Sequence, residues 1–177
     1  MRIVGVNGIN THGEGSIDLL LLTLDKRGHE VLDIPLPKRH TLSARWGGCT
    51  DGQTIAMHAK DGDIVVCHSF GGLRTHFAHQ VRDFRAVICI APAMSDDARW
   101  RYPDRVHCFH SKKDWAIRIG ARLFLHPFGA AGSRGFTQEG VTNVEYDCGH
   151  SDYFKPGVIE AVADYVERVA WSSQKHA

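Results

Sequence analysis

Asp63-Ile-Val-Val-Cys-His-Ser-Phe-Gly-Gly72 is the stretch on which the reading of this chain turns. Its first half is apolar at consecutive positions rather than alternating, the pattern of a central strand covered by helices on both faces. Its second half runs from that strand straight into a helical pattern, so Ser69 falls in a strand-to-helix turn that projects its hydroxyl clear of the sheet edge. Such a turn is tight, and bulky side chains two before or two to three after the serine would collide. Cys67, Gly71 and Gly72 are small where smallness is required. Ser69 is therefore a candidate nucleophile; the plain alternative is a serine capping the helix that begins near Phe70.

Outward from this turn, short Val- and Ile-rich runs alternate with helical patterns, which marks βαβ units and a mostly parallel sheet. Strands are predicted at 2–7, 30–34, 62–68, 85–91, 105–110 and 142–147, and helices at 15–27, 50–60, 70–81, 115–125 and 155–171. Ile17, Leu20, Leu21 and Leu24 recur at helical spacing, and Gly28 supplies the left-handed stop. Val158, Ile159, Val162, Tyr165, Val166 and Val169 repeat the pattern near the end. Gly47-Gly48 read as a loop, Gly129 to Gly140 as a glycine-rich connection, and Ser172 to Ala177 as a polar, frayed tail.

A chain of 177 residues, 43% of them hydrophobic, can bury one substantial core, so a single domain over 1–177 is expected. With 21 basic against 20 acidic side chains and a net charge of +1, no footprint for nucleic acid or an anionic membrane surface is present. The N-terminal apolar run is too short for a signal-peptide core and no stretch has the length of a membrane span. Five cysteines without CxxC spacing agree with a reducing compartment, and the expected location is cytoplasmic.

The turn Cys67-His-Ser-Phe-Gly-Gly72, set between a buried strand and a helix, resembles that of the α/β-hydrolase family, usually G-x-S-x-G. Cys67 stands in place of the first glycine. The resemblance implies a three-layer α/β sandwich in a minimal form: the chain begins at the family's third strand, without the antiparallel pair that often precedes it. The segment Ala93 to Asp104, where larger members insert a lid, is short and polar, so an open site is expected. The family's order of nucleophile, acid and histidine puts the base in a loop after the last strand. His150 meets this, in Asp147-Cys-Gly-His-Ser-Asp-Tyr-Phe154, and imidazole titrates near neutrality as a general base must. The acid implied is Asp114, because Ser111-Lys-Lys-Asp-Trp115 looks like the family's G-x-x-D loop. Asp96 and Asp97, one strand earlier, are the competing acids. Two oxyanion donors are implied as well, the backbone N–H of Phe70 and that of Ile9 in the loop Val6-Asn-Gly-Ile-Asn10.

Trp115, Phe128 and Phe136, with Ile9 and Phe70, are candidates for apolar pocket lining, core packing being the alternative for each. Cys67, Cys89 and Cys108 fall in neighbouring strands, where burial as small hydrophobes is expected rather than metal binding. His76 and His79, one helical turn apart, are expected to face solvent, and Arg99, Arg101 and Arg105 to form a solvated basic run. The activity implied is hydrolysis of a small or medium carboxylic ester through an acyl-enzyme, with no cofactor or metal because the base alone generates the nucleophile. Thioester hydrolysis, amide hydrolysis or acyl transfer could use the same triad, and a non-catalytic binding module could use the same scaffold.

Overall fold

The computed structural model describes residues 1–9, 16–37, 41–123 and 129–172. Six strands, β1 (Arg2–Val6), β2 (Glu30–Asp33), β3 (Ile64–His68), β4 (Ala86–Ile90), β5 (Val106–His110) and β6 (Thr142–Glu145), form one sheet in the order β2-β1-β3-β4-β5-β6. All five pairings are parallel. Every residue of β3 and β4 is buried, as their unbroken apolar runs require, whereas the outer strands β2 and β6 carry exposed polar residues.

Helices α1 (Ile17–Lys26) and α6 (Val158–Ser172) cover one face. Leu20 and Leu24 of α1 and Val162 and Val166 of α6 pack there against Ile3, Val66, Ile88 and Phe109. Ser16 caps α1 by accepting the Asp18 N–H at 3.2 Å, and Gly28, with φ 87°, follows its end in the left-handed conformation. Helices α2 (Thr41–His58), α3 (Gly71–His79) and the short α5 (Ala131–Arg134) cover the other face, over Val4, Val6, Val65, Cys67, Val87, Cys89 and Cys108. Helix α4 (Trp115–Leu123) precedes α5 along the chain.

Two expectations are corrected on this second face. Gly47-Gly48 is not a loop but lies inside α2, which starts at Thr41 rather than residue 50. The physical reason is helix packing: a Cβ on Gly52 would lie 2.5 Å from Phe77 Cβ and 2.9 Å from the Arg74 carbonyl, and one on Gly48 would lie 3.3 Å from the Phe77 ring. Small residues there let α2 press against α3. Likewise His79 is fully buried rather than solvent-facing, between Phe84, Trp100 and Tyr102, and half-buried His76 is bonded to the Arg99 carbonyl. The glycine-rich connection contains α5, and α6 continues to Ser172 where the tail was expected to begin. Among the described residues no helix is long and apolar enough to cross a membrane.

Candidate active site

Ser69 follows β3 directly and has φ 55°, a left-handed conformation that a side chain other than glycine's rarely adopts. The turn is held on both sides: the Ser69 N–H donates to the Ile90 carbonyl at 3.0 Å, and the Ser69 carbonyl accepts from Gly72 N–H and Ala93 N–H. Its tightness is visible at the glycines. A Cβ on Gly71 would sit 2.4 Å from the Val6 carbonyl oxygen, and one on Gly72 would sit 2.8 Å from Pro92 Cβ. Cys67 fits where the smaller residue was expected, its sulfur 3.5 Å from that of Cys89 on the neighbouring strand. No side-chain capping bond closes the start of α3, so Ser69 does not serve as the helix cap.

Asp114 and His150 lie in the loops after β5 and β6, at the same carboxyl edge as Ser69. His150 Nδ1 is 2.7 Å from Asp114 Oδ2. The carboxylate is fully buried, and its other oxygen accepts the Ile117 N–H at the start of α4, at 3.0 Å. Neither Asp96 nor Asp97 contacts the histidine: Asp97 accepts from Ser95 Oγ, and Asp96 faces a different cavity. His150 adjoins the nucleophile turn through His68, the residue before Ser69; the two rings are 4.8 Å apart between centroids and His68 Nε2 lies 3.3 Å from the His150 carbonyl. No hydrogen bond joins Ser69 Oγ to His150, whose Nδ1 faces Asp114 instead.

Three residues that the sequence did not single out shape this edge. Ser111, fully buried, accepts on its hydroxyl both the Lys113 N–H of the acid loop (3.1 Å) and the Cys148 N–H of the histidine loop (3.3 Å). His68 is buried, which together with the proximity of His150 pushes its pKa down to about 3 and keeps it neutral. Arg74, 2% exposed, reaches from α3 to the loop after β1. His68 and Ser111 lie within the turn and the acid loop quoted from the sequence but had no role assigned there, and Arg74 lies in neither; the fold gives all three their place at the edge. The histidine loop is pinned further by Asp152, which accepts the Gly149 N–H at 2.8 Å.

Ile9 lies half-buried in the loop after β1, and Phe70, fully buried, opens the elbow helix. Trp115 is 68% exposed beside Asp114. Phe136 is a correction to the expected lining: it is 4% exposed and packs edge-on against Trp100 in the core. Phe128 lies outside the described residues. The segment where a lid would insert lies down on the body, with Met94 and Trp100 buried and Gln138 bonded to both the N–H and the carbonyl of Trp100. A cavity of about 760 Å³ opens beside β5 and β6, lined by Asp96, His110, Lys112, Arg118, Ser133 and Glu145 among others; Ser69, Asp114 and His150 are not part of its wall. Burial raises the pKa of Cys89 and Cys108, which stay protonated, and no group of three or more metal-ligating side chains occurs among the described residues.

No family model matches the sequence, and no curated protein does. Solved structures do match. A protein assigned to the hydrolases of the alpha/beta superfamily from Xanthomonas campestris pv. campestris superposes with a TM-score of 0.65 at 16% identity, over 97% of each chain. The fold is that of the α/β hydrolases. A protein assigned as a YdeN-like hydrolase from Pectobacterium atrosepticum gives 0.58 at 18% identity, over 95% of this chain and 91% of the other. The pyrethroid hydrolase PytH gives 0.53 at 12%, over 96% and 97%. The α/β-hydrolase fold accounts for the topology here: a parallel sheet whose carboxyl edge gathers the loops after β1, β3, β5 and β6.

Proposed function

We propose that the protein is a serine hydrolase that cleaves a small or medium carboxylic ester through an acyl-enzyme. Ser69 attacks the carbonyl, His150 takes its proton and returns it to the leaving alkoxide, and Asp114 holds the His150 tautomer and stabilises the imidazolium. The backbone N–H groups of Phe70 and Ile9 receive the oxyanion. Water then enters, His150 removes its proton and delivers it to Ser69 Oγ as the bond between that oxygen and the acyl carbon breaks, and the acyl group leaves as the carboxylic acid.

The observation that carries this reading is the left-handed Ser69 between a strand and a helix. Strain of this kind costs roughly 1–3 kcal/mol and persists where the surroundings over-determine it, typically at functional sites. Support comes from the 2.7 Å contact of the buried Asp114 with His150 Nδ1, which orients the ring so that its other nitrogen is the available base. The neutral His68 adds no positive charge beside the imidazolium that forms during turnover.

A fluorophosphonate probe tests it. Wild-type protein is expected to be labelled on Ser69 and to hydrolyse nitrophenyl esters in a panel of graded chain length, with acyl-thioesters alongside to compare leaving groups. Labelling that persists in Ser69→Ala overturns the nucleophile, and a wild type inert to both probe and esters favours a binding module on the same scaffold.

A further inference from the structure

Arg74 is a cation in the core, 2% exposed, five residues after Ser69 on the elbow helix. Its Nε donates to Asp51 Oδ2 of α2 at 2.9 Å, and its Nη2 to the Pro37 carbonyl at 3.1 Å. Its Nη1 donates to two successive carbonyls of the loop after β1, those of Asn7 (3.0 Å) and Gly8 (3.3 Å). The guanidinium carbon lies 4.9 Å from the centroid of the Phe70 ring. Burying a charge is costly, and a buried ion pair often adds no more stability than apolar side chains of the same volume. What the planar fork does that an apolar residue does not is fix the direction of several carbonyls at once.

That direction matters because a trans peptide sets its C=O and N–H on opposite sides. The Gly8 carbonyl and the Ile9 N–H belong to one peptide unit. With the Gly8 carbonyl drawn inward to Arg74, the Ile9 N–H is turned the opposite way. The same loop is in backbone contact with the elbow, since Gly71 leaves no room for a Cβ between itself and the carbonyl oxygens of Val6 and Asn7. Asn7 Nδ2 anchors the loop from the other side by donating to Asp18 at 2.7 Å.

We propose that Arg74 is a positioning residue for the oxyanion donors: it holds the Asn7 and Gly8 carbonyls inward so that the Ile9 N–H faces outward, and braces Phe70 beside it. This rests on the serine-hydrolase reading above. Arg74 touches no substrate; it acts through the loop.

Two variants test it. Arg74→Lys keeps a charge for Asp51 but loses the fork, and Arg74→Met with Asp51→Leu removes both members of the buried pair together rather than leaving one charge facing an apolar residue. In whichever variant folds, kcat for the best nitrophenyl ester is expected to fall about 10- to 100-fold, below the effect of deleting a donor outright. KM should stay within about threefold, and affinity for a boronic acid that mimics the tetrahedral intermediate should fall in parallel with kcat. Arg2→Lys, which disturbs the Arg2–Asp63 pair at the amino end of β1, is the control: it should lower the unfolding midpoint without moving kcat. Wild-type kcat and boronate affinity in either folded variant overturn the proposal, as does a loss of kcat equal to that of Arg2→Lys. A wild type that shows neither labelling of Ser69 nor turnover fails one step earlier, at the reading of the site itself.

Discussion

Replacing Asp114 by asparagine changes one atom and tests the whole arrangement at the carboxyl edge. Oδ1 of the buried carboxylate accepts the Ile117 N–H at 3.0 Å, and Oδ2 faces His150 Nδ1 at 2.7 Å. An asparagine has one oxygen for two places that each want an acceptor. If its oxygen stays on Ile117, its NH₂ faces Nδ1, which must then be the bare nitrogen; the proton moves to Nε2, and the ring can no longer take one from Ser69. If the amide flips, the ring recovers its tautomer but a buried N–H of α4 faces another donor, at a cost of about 1–3 kcal/mol. The active arrangement is thereby reduced about 5- to 150-fold before any chemistry. The imidazolium formed in the transition state also loses its counter-charge, and the two losses together approach the roughly 10⁴-fold effect of this substitution in other triads. The assay is the rate of fluorophosphonate labelling and kcat/KM on the best nitrophenyl ester, with Asp96→Asn in parallel. A loss below about tenfold at Asp114, or an equal loss at Asp96, refutes the reasoning.

Two further outcomes follow from the elbow and from the buried histidines. Gly71→Ala places a Cβ 2.4 Å from the Val6 oxygen and 3.0 Å from that of Asn7, both backbone atoms, so the urea midpoint should drop by at least the equivalent of about 1–3 kcal/mol and labelling of Ser69 should be lost with it; a wild-type midpoint counts against the packing described. Acid should destabilise the fold: burial lowers His68 to about 3 and His79 to about 4 from 6.5, so between these values the unfolded chain binds protons that the native state does not. The stability is complete above pH 6.5 and falls on acidification, by about 2 kcal/mol per histidine at pH 5. Urea unfolding at pH 7.5 and 5 measures it, and His79→Gln should shrink the difference by about 2 kcal/mol, leaving the share of the other buried histidines; an unchanged difference would show that His79 is not held neutral.

The strands were legible because each rests on a local pattern, and the meeting of Asp114 with His150 followed from the chain order of the family that the Ser69 turn resembles. Unbroken runs such as Ile64 to His68 and Ala86 to Ile90 can only be central strands, and they are buried throughout. Helix α2 was legible only from residue 50, because its apolar positions carry almost no helical period and its glycines look like a loop. Those glycines answer to α3, a partner the local sequence does not reveal. Phe136 was misplaced for the mirror-image reason: a glycine-rich stretch suggests an exposed loop, yet the Asn143 side chain bonds both the N–H and the carbonyl of Phe136 and draws it against Trp100. His79 was expected outside because histidine is polar, and three aromatic neighbours hold it inside instead. In each case the deciding contact is long-range.

The carboxyl edge divides into two halves, each locked by one buried polar residue. Ser111 ties the acid loop to the histidine loop, so the Asp114–His150 distance is set by a hydroxyl that accepts from both. Arg74 ties α3 to the loop after β1, bonding the Asn7 and Gly8 carbonyls from the helix that follows Ser69. The halves meet at His68, whose backbone belongs to the end of β3 and whose ring lies against His150 and Phe154. A charged residue at that joint would repel the imidazolium or compete with Asp114 for the ring. A small apolar one would leave a void beneath the base. A neutral, buried imidazole fills the space and donates one hydrogen bond from Nε2 to the His150 carbonyl without either penalty. Through its contacts with the His150 ring and carbonyl, His68 links the strained turn at Ser69 to the Asp114–His150 pair, so the turn and the pair are joined through one buried ring.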